Sequence, residues 1–235
     1  MPKHKLQRFQ ENLTFGNLFQ VSYSTLQEEG FALRGNWRSY FGNDNPICLE
    51  LGCGKGDYTV ALATAHPECN YIGVDIKGAR LWRGAKTATE RQMPNVAFIR
   101  TRIELIQGFF GPDEVSRIWI TFPDPQPKKE AKRLTSPQFL NRYLTFLKTG
   151  SHIHLKTDSQ ELYEYTLHEV LTPNGATVHA STNDLYNSGM AGEATLIQTF
   201  YETMWLAQGK PITYLEFSLQ PSPLPIIKKN KQSTN

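Results

Sequence analysis

The feature that most constrains the fold is a short apolar run that leads straight into a glycine-rich turn. Residues Ile47–Leu51 are apolar apart from Glu50, and a helix-like segment begins at Tyr58. Glycines at a strand-to-helix turn allow positive φ angles and let a ligand approach the backbone closely. The pattern therefore predicts a strand, a ligand-binding turn and a helix. The glycines of the turn are Gly52, Gly54 and Gly56.

The spacing of these glycines narrows the class of ligand. It is G-x-G-x-G, whereas folds that bind a dinucleotide pyrophosphate use G-x-G-x-x-G. Glu50 lies inside the end of the strand, where a buried carboxylate would repel a pyrophosphate. The acid instead suits a ligand that carries an ammonium group, such as the methionine part of S-adenosylmethionine. A nicotinamide-dependent oxidoreductase is therefore disfavoured.

A second apolar run, Tyr71–Val74, also ends in an acid, Asp75. Asp75 follows Glu50 by 25 residues, which is enough for one strand, one helix and the next strand. An acid at the end of the second strand of such a unit can hold both hydroxyls of a ribose. We interpret the two strands as a nucleoside-binding unit; the alternative is a pair of ordinary strand-end acids that point into solvent.

A third acid, Asp124, lies between two prolines at the end of the apolar run Ile118–Phe122. Each proline fixes its own φ angle and biases the preceding residue away from helix. Asp124 is therefore expected on a stiff, extended elbow at the edge of the sheet where ligands bind. A rigid carboxylate beside cations suggests a polar, planar substrate attached to phosphate. The cations that follow are Lys128, Lys129, Lys132 and Arg133.

The remainder of the chain alternates between strand-like and helix-like segments, which predicts a doubly wound, Rossmann-like α/β sheet. We divide the chain into a basic N-terminal extension (1–44), one catalytic domain (45–219) and a flexible C-terminal tail (220–235). Further strands are expected at 95–99, 117–122, 151–156, 176–181 and 212–219, and further helices at 79–91, 137–147, 160–171 and 200–206.

Composition agrees with one enzyme domain that works in the cytoplasm. No apolar run approaches the ~20 residues needed to span a bilayer, and no signal pattern is visible at the N-terminus. The three cysteines lack metal-ligand spacing. We therefore expect neither a membrane nor a metal as a partner. The net charge of +3 is compatible with RNA binding but does not establish it.

Together these motifs resemble those of the bacterial tRNA (guanine-N7-)-methyltransferases. The similarity covers about residues 45–217 and is carried by ELGCGKG from Glu50, YIGVD up to Asp75 and FPDP around Asp124. It continues through HLKTD up to Asp158 and TFYE from Thr199. The resemblance implies a class I S-adenosyl-L-methionine-dependent methyltransferase. It further implies methyl transfer to N7 of guanine at position 46, in the variable loop of tRNA.

The resemblance also implies roles for individual residues. Glu50 would face the ammonium group of the cofactor, Asp75 its ribose, and the three glycines would let it close in. Asp124 is the expected catalytic residue, which holds the base or lies close to the cofactor and stabilises positive charge in the transition state. Asp158 can also cap the helix that follows it. The implied substrate-binding residues are Lys128, Asp158, Thr199, Phe200, Tyr201 and Glu202, and the implied contacts to the RNA backbone are Lys129, Lys132 and Arg133.

The chain departs from the family pattern at three places. Gln126 stands where many members have Trp, and the basic stretch is thinner than usual. Arg102 stands where an acid near the adenine is expected, so that Glu104 or the backbone would make this contact.

Two alternatives remain open. One is a class I methyltransferase that acts on another RNA or on a small molecule, which would have no use for the basic stretch after the elbow. The other is a non-catalytic RNA-binding module, which would not need Glu50 and Asp75 in register. A monomer and a homodimer are both compatible with the sequence.

Overall fold

The computed structural model describes residues 3–226 of the chain, apart from the side chains of Lys3, His4 and Phe200. Its centre is one eight-stranded sheet. The strands are β1 (Leu18–Phe19), β2 (Ile47–Leu51), β3 (Asn70–Asp75), β4 (Val96–Arg100), β5 (Val115–Thr121), β6 (Leu147–Thr157), β7 (Thr177–Thr182) and β8 (Thr213–Ser218). Their order in the sheet is β1-β4-β3-β2-β5-β6-β8-β7. Pairing is parallel from β1 to β6, whereas β8 runs antiparallel to both of its neighbours.

Helices cover the sheet and confirm the expected α/β class. They are α1 (Lys3–Glu11), α2 (Tyr23–Glu28), α3 (Trp37–Phe41), α4 (Asp57–Ala65), α5 (Gly78–Glu90), α6 (Pro137–Leu144), α7 (Gln160–Glu164), α8 (Glu193–Leu196) and α9 (Phe200–Ala207). Helix α7 continues as a π-helix over Tyr165–Leu171, and short 3₁₀ turns lie at Ile103–Gly108, Glu130–Lys132 and Thr172–Asn174.

The central strands owe their continuous apolar sequence to burial on both faces. Every residue of β2 and of β3 is buried, as is usual for parallel strands with helices on each side. Glu50, in the fourth position of β2, is therefore only 2% exposed. The carboxylate lies within the core, just below the edge of the sheet at which the parallel strands end.

The described part of the N-terminal extension belongs to the same body as the sheet. Helix α1 packs on α5, where the Glu11 carboxylate accepts hydrogen bonds from Trp82 Nε1 at 2.7 Å and Lys86 Nζ at 2.9 Å. Strand β1 adds a parallel edge to β4, and Trp37 is fully buried. Residues 3–44 thus complete the sheet and its covering layer.

Two boundaries differ from the sequence prediction by three residues or more. The helix expected to reach Leu147 ends at Leu144, and β6 begins at Leu147, four residues before the expected start. Residues 148–150 of β6 are exposed, so no apolar alternation marks them as strand.

The first residues of the expected C-terminal tail are held by the protein. Leu224 is buried and its N–H donates to Asn141 Oδ1 at 2.7 Å. Residues 227–235 of the expected tail lie outside the described residues.

Candidate active site

The glycine-rich turn between β2 and α4 forms one wall of the site. Gly52, Gly54 and Gly56 all have φ between +58° and +78°, a region that strongly favours glycine. A Cβ atom at Gly52 or Gly54 would have no protein atom within 4 Å, whereas one at Gly56 would lie 2.6 Å from the ring of Phe98. The first two glycines therefore border open space, and the third allows α4 to pack on the sheet.

Glu50 anchors this turn from below. One carboxylate oxygen accepts hydrogen bonds from the backbone N–H and the hydroxyl of Thr59, in the first turn of α4. The other accepts one from the Thr121 hydroxyl at 2.7 Å, at the end of β5. Burial raises the pKa of Glu50 to about 7, and the bonds from the two threonines oppose that increase. The side chain also lines the cavity next to the turn, where we expected it to face an ammonium group.

Asp75 receives one backbone hydrogen bond on each carboxylate oxygen. The donors are Gly54 N at 2.9 Å and Lys77 N at 2.7 Å. A carboxylate has about four acceptor positions, so each oxygen retains acceptor capacity towards the cleft that Asp75 lines. This arrangement is suited to the hydroxyls of a ribose, and that role for Asp75 stays a prediction.

The elbow around Asp124 turns more sharply than the prolines alone predict. Phe122 and Gln126, neither of them glycine, have φ angles of +47° and +46°. Residues held in this region carry strain of order 1–3 kcal/mol each and cluster at functional sites. Gln126 N donates to Asp124 Oδ1 at 3.1 Å, so the carboxylate closes its own turn. Asp124 is otherwise exposed at the rim of the cleft.

Two adjoining cavities bring the predicted residues together. The larger is a cleft of about 420 Å³ between the end of β3 and the elbow, and its lining includes Asp75, Asp124 and Lys132. The smaller has a volume of about 100 Å³ and is lined by Glu50, Tyr58 and Thr199 among others. Gly52, Arg80 and Phe122 line both cavities.

The basic stretch after the elbow divides into exposed and buried parts. Lys128, Lys129 and Lys132 are exposed, as contacts to RNA phosphates require. Arg133 is only 2% exposed, so its predicted contact with the RNA backbone does not agree with this structure. Its guanidinium donates to Pro125 O at 3.0 Å, pairs with Glu161 and stacks over the Tyr165 ring. Arg133 fastens the elbow to α7 and its continuation.

The TFYE segment contributes residues of two kinds. Thr199 and Tyr201 line the smaller cavity, whereas the Phe200 side chain lies outside the described residues. Glu202 is fully buried and pairs with Lys156 at 2.6 Å. The predicted direct contact of Glu202 with substrate therefore does not agree with this structure, because the carboxylate is occupied inside the protein.

Asp158 directly follows the last residue of β6, is half-buried and does not cap the next helix. Ser159 takes that position and accepts a hydrogen bond from Leu162 N at 3.2 Å. The helix-capping alternative for Asp158 was therefore wrong by one residue, because the serine hydroxyl reaches the third N–H of the helix. The predicted contact of Asp158 with substrate stays a prediction.

The residues present fit S-adenosyl-L-methionine. Open space beside Gly52 and Gly54 leaves room for a ligand against the backbone, and Asp75 retains acceptors for a ribose. Arg102, Ile103 and Glu104 all line the larger cleft. Both Arg102 and Glu104 therefore border the cleft, and which group contacts the adenine stays a prediction.

Sequence reasoning missed two residues that the structure places at the site. Arg80, in the first turn of α5, lines both cavities. Lys156 is fully buried beneath the TFYE segment. Burial lowers the pKa of Lys156, and the Glu202 carboxylate opposes that decrease. A lysine inside an apolar strand was a signal available in the sequence, but only the fold identifies its partner.

Comparison with known proteins agrees with this geometry. A family model described as a putative methyltransferase matches residues 44–215. A protein of Christiangramia forsetii named tRNA (guanine-N(7)-)-methyltransferase is 53% identical over 93% of this chain and 99% of its own length. The chain belongs to the tRNA (guanine-N(7)-)-methyltransferase family. A member with the same name from Porphyromonas gingivalis is 52% identical over 88% of this chain and 86% of its own length.

Solved structures with low sequence identity share the fold of this family member. The 16S rRNA methyltransferase KamB has a TM-score of 0.62 at 14% identity and covers 83% of this chain and 96% of its own. The antibiotic-resistance methyltransferase Kmr has a TM-score of 0.58 at 17% identity, with coverages of 80% and 93%.

None of the helices within residues 3–226 combines the length and the apolar character needed to cross a membrane. Over the same range, no three His, Cys, Asp or Glu side chains are grouped so as to hold a metal ion.

Proposed function

We propose that the protein transfers a methyl group from S-adenosyl-L-methionine to N7 of a guanine in tRNA, in the cytoplasm. The observation that carries the proposal is the shared cleft. Gly52 of the glycine turn and Asp75, the acid suited to a ribose, line the same cleft as the elbow acid Asp124, and exposed lysines follow the elbow. Membership of the tRNA (guanine-N(7)-)-methyltransferase family supports the same reaction.

The chemistry requires alignment more than proton transfer. When bound, S-adenosyl-L-methionine supplies an electrophilic methyl carbon on a positively charged sulfur. Guanine N7 already carries an in-plane lone pair, so no side chain has to remove a proton first. The chain's task is to hold the base in line and at short range. Asp124, on its strained turn at the rim, would hold the base and stabilise the positive charge that develops on the ring.

The remaining side chains divide the work of binding. Asp75 and the glycine turn would hold the cofactor, while Thr199 and Tyr201, which line the smaller cavity, would border its methionine end. Lys128, Lys129 and Lys132 would contact phosphates, which supply much of the affinity for a structured nucleic acid. The family resemblance assigns the guanine to position 46 of the variable loop.

The direct test is methyl transfer from radiolabelled S-adenosyl-L-methionine to unmodified tRNA transcripts, followed by aniline cleavage to locate N7-methylguanine. We expect label at one variable-loop guanine and none when that guanine is changed to adenine. Cofactor binding without RNA methylation would instead favour a small-molecule substrate. Absence of cofactor binding would leave only an RNA-binding module.

A further inference from the structure

We infer that Lys156 and Glu202 form a buried positioning pair that holds Thr199 and Tyr201 against the methionine end of the cleft. The inference rests on the proposed function, because it concerns the same cleft. It gives a role to Lys156 and changes the expected role of Glu202 from binding substrate to placing the residues that do so.

The Lys156 ammonium group has three N–H donors, and three oxygen atoms lie within hydrogen-bond distance of it. Lys156 lies in β6, one residue before the end of the strand, and its side chain is 0% exposed. Its Nζ atom contacts Glu202 Oε1 at 2.6 Å, Ala194 O at 2.5 Å and Ile197 O at 3.0 Å. All three acceptors belong to residues 194–202, so one lysine of the sheet holds this whole segment.

Glu202 connects Lys156 to Thr199 through hydrogen bonds. Its Oε1 atom also accepts from the Tyr186 hydroxyl at 2.5 Å, while Oε2 accepts from Thr199 N at 3.1 Å. In return, Glu202 N donates to Thr199 Oγ1 at 3.1 Å, which completes a capping box at the start of α9. A capping box satisfies two backbone donors reciprocally and fixes the direction in which the helix begins.

The segment held in this way forms a wall of the smaller cavity. Thr199 and Tyr201 line that cavity together with Glu50 of β2 and Gly52 of the glycine turn. Tyr58, in α4, also lines it and donates its hydroxyl to Glu193 O at 3.4 Å. The pair therefore sets the separation between the TFYE segment and the glycine turn, which is where the methionine end of the cofactor would lie.

Stability alone does not account for two buried charges at this position. Apolar residues of similar volume usually stabilise a core as well as a buried ion pair does, whereas removal of one partner leaves an uncompensated charge. The pair makes directional hydrogen bonds. The three N–H donors of Lys156 and the two carboxylate oxygens of Glu202 hold residues 194–202 in one arrangement. We therefore expect the geometry of the site, rather than the fold, to depend most on the pair.

The test measures binding of S-adenosylhomocysteine by calorimetry, without tRNA, for two variants and a control. Lys156→Met leaves the Glu202 charge unpaired, and we expect the Kd to rise roughly 30-fold or more. Lys156→Met/Glu202→Gln removes both charges and retains an amide oxygen and the helix cap. We expect it to recover most of the lost affinity. Lys148→Met, an exposed lysine at the far end of the same strand, should bind like the wild type.

The affinity for tRNA, measured separately, distinguishes a local effect on the cofactor site from a general loss of structure. We expect it to change less than about twofold in Lys156→Met, since phosphate contacts dominate it. If Lys156→Met does not fold, Glu202→Gln serves as the reference. The double variant should then bind S-adenosylhomocysteine more tightly than Glu202→Gln, because it removes the unpaired ammonium.

Three outcomes would overturn the inference. Lys156→Met could bind S-adenosylhomocysteine like the wild type, or the double variant could bind it no better than its reference single variant. The latter result would mean that Glu202 contacts the ligand itself. Absence of S-adenosylhomocysteine binding by the wild type would overturn both this inference and the proposed function.

Discussion

Asp124 shows how backbone chemistry sets the position of one functional side chain. Two prolines restrict the elbow, Gln126 N donates to one carboxylate oxygen, and Asp124 lines the cleft. We expect Asp124→Asn to retain this turn but to lose the negative charge. The kcat for tRNA methylation should then fall about 100-fold, the order found for loss of one stabilising group.

The control for Asp124→Asn is the binding of each ligand alone. Affinities for S-adenosylhomocysteine and for tRNA should both stay within a few-fold of the wild type. Near-normal turnover with both affinities unchanged would show that Asp124 does not stabilise the transition state.

Glu50 links the stability of the unliganded protein to pH. Burial raises its pKa from an ordinary 4.5 to about 7. Between these values the folded protein holds more protons than the unfolded chain, so its free energy of unfolding falls as pH rises. We expect the wild type to lose up to about 3 kcal/mol relative to Glu50→Gln between pH 4.5 and pH 7. Urea unfolding at several pH values measures this, and a constant difference between the two proteins would contradict it.

At the scale of elements, the glycines of the turn between β2 and α4 differ in the space around them. Gly56→Ala places a methyl group 2.6 Å from Phe98 and 3.3 Å from Gly84 Cα, at a φ of +73°. We expect a loss of about 3 kcal/mol from left-handed strain and overpacking combined. Gly54→Ala, at a φ of +58° but in open space, should lose only about 1–2 kcal/mol. Equal losses in urea unfolding would show that packing against Phe98 is unimportant.

The central elements were predictable because their signal is local. Runs such as Tyr71–Val74 are apolar throughout, and an acid ends each one, so both β3 and the place of Asp75 followed from the sequence. The start of β6 did not, because residues 148–150 are exposed and carry no alternation. Strand β1 also escaped prediction, since two residues, Leu18 and Phe19, pair with a strand that lies about 80 residues away along the chain.

At the scale of the molecule, the distribution of charge matters more than the net charge of +3. Lys128 and Lys129 are exposed beside the ligand-binding edge of the sheet. Replacing both by Ala should lower the slope of log Kd for tRNA against log salt concentration by roughly 1–2, since each phosphate contact contributes about 0.7–0.9. Filter binding at several salt concentrations gives this slope.

The matched control removes two cations from the opposite edge of the sheet. Arg38 and Lys148 are exposed near the beginnings of β2 and β6. Arg38→Ala/Lys148→Ala changes the net charge by the same amount and should leave the slope unchanged. If both double variants lowered the slope equally, overall charge rather than the elbow cluster would govern tRNA binding.

The sequence by itself determined the α/β fold, the glycine turn and the strand-end positions of the acids Glu50, Asp75 and Asp124. Each of these features follows from a pattern of a few adjacent residues. Only the tertiary structure decided what happens to side chains whose partners are distant in the chain. Arg133 lies among cations suited to RNA, yet it is buried against Glu161. Glu202 lies in a substrate-type motif, yet it pairs with Lys156, 46 residues earlier. Local pattern fixes which residues reach the site, whereas long-range packing decides which of their polar groups remain open to a ligand.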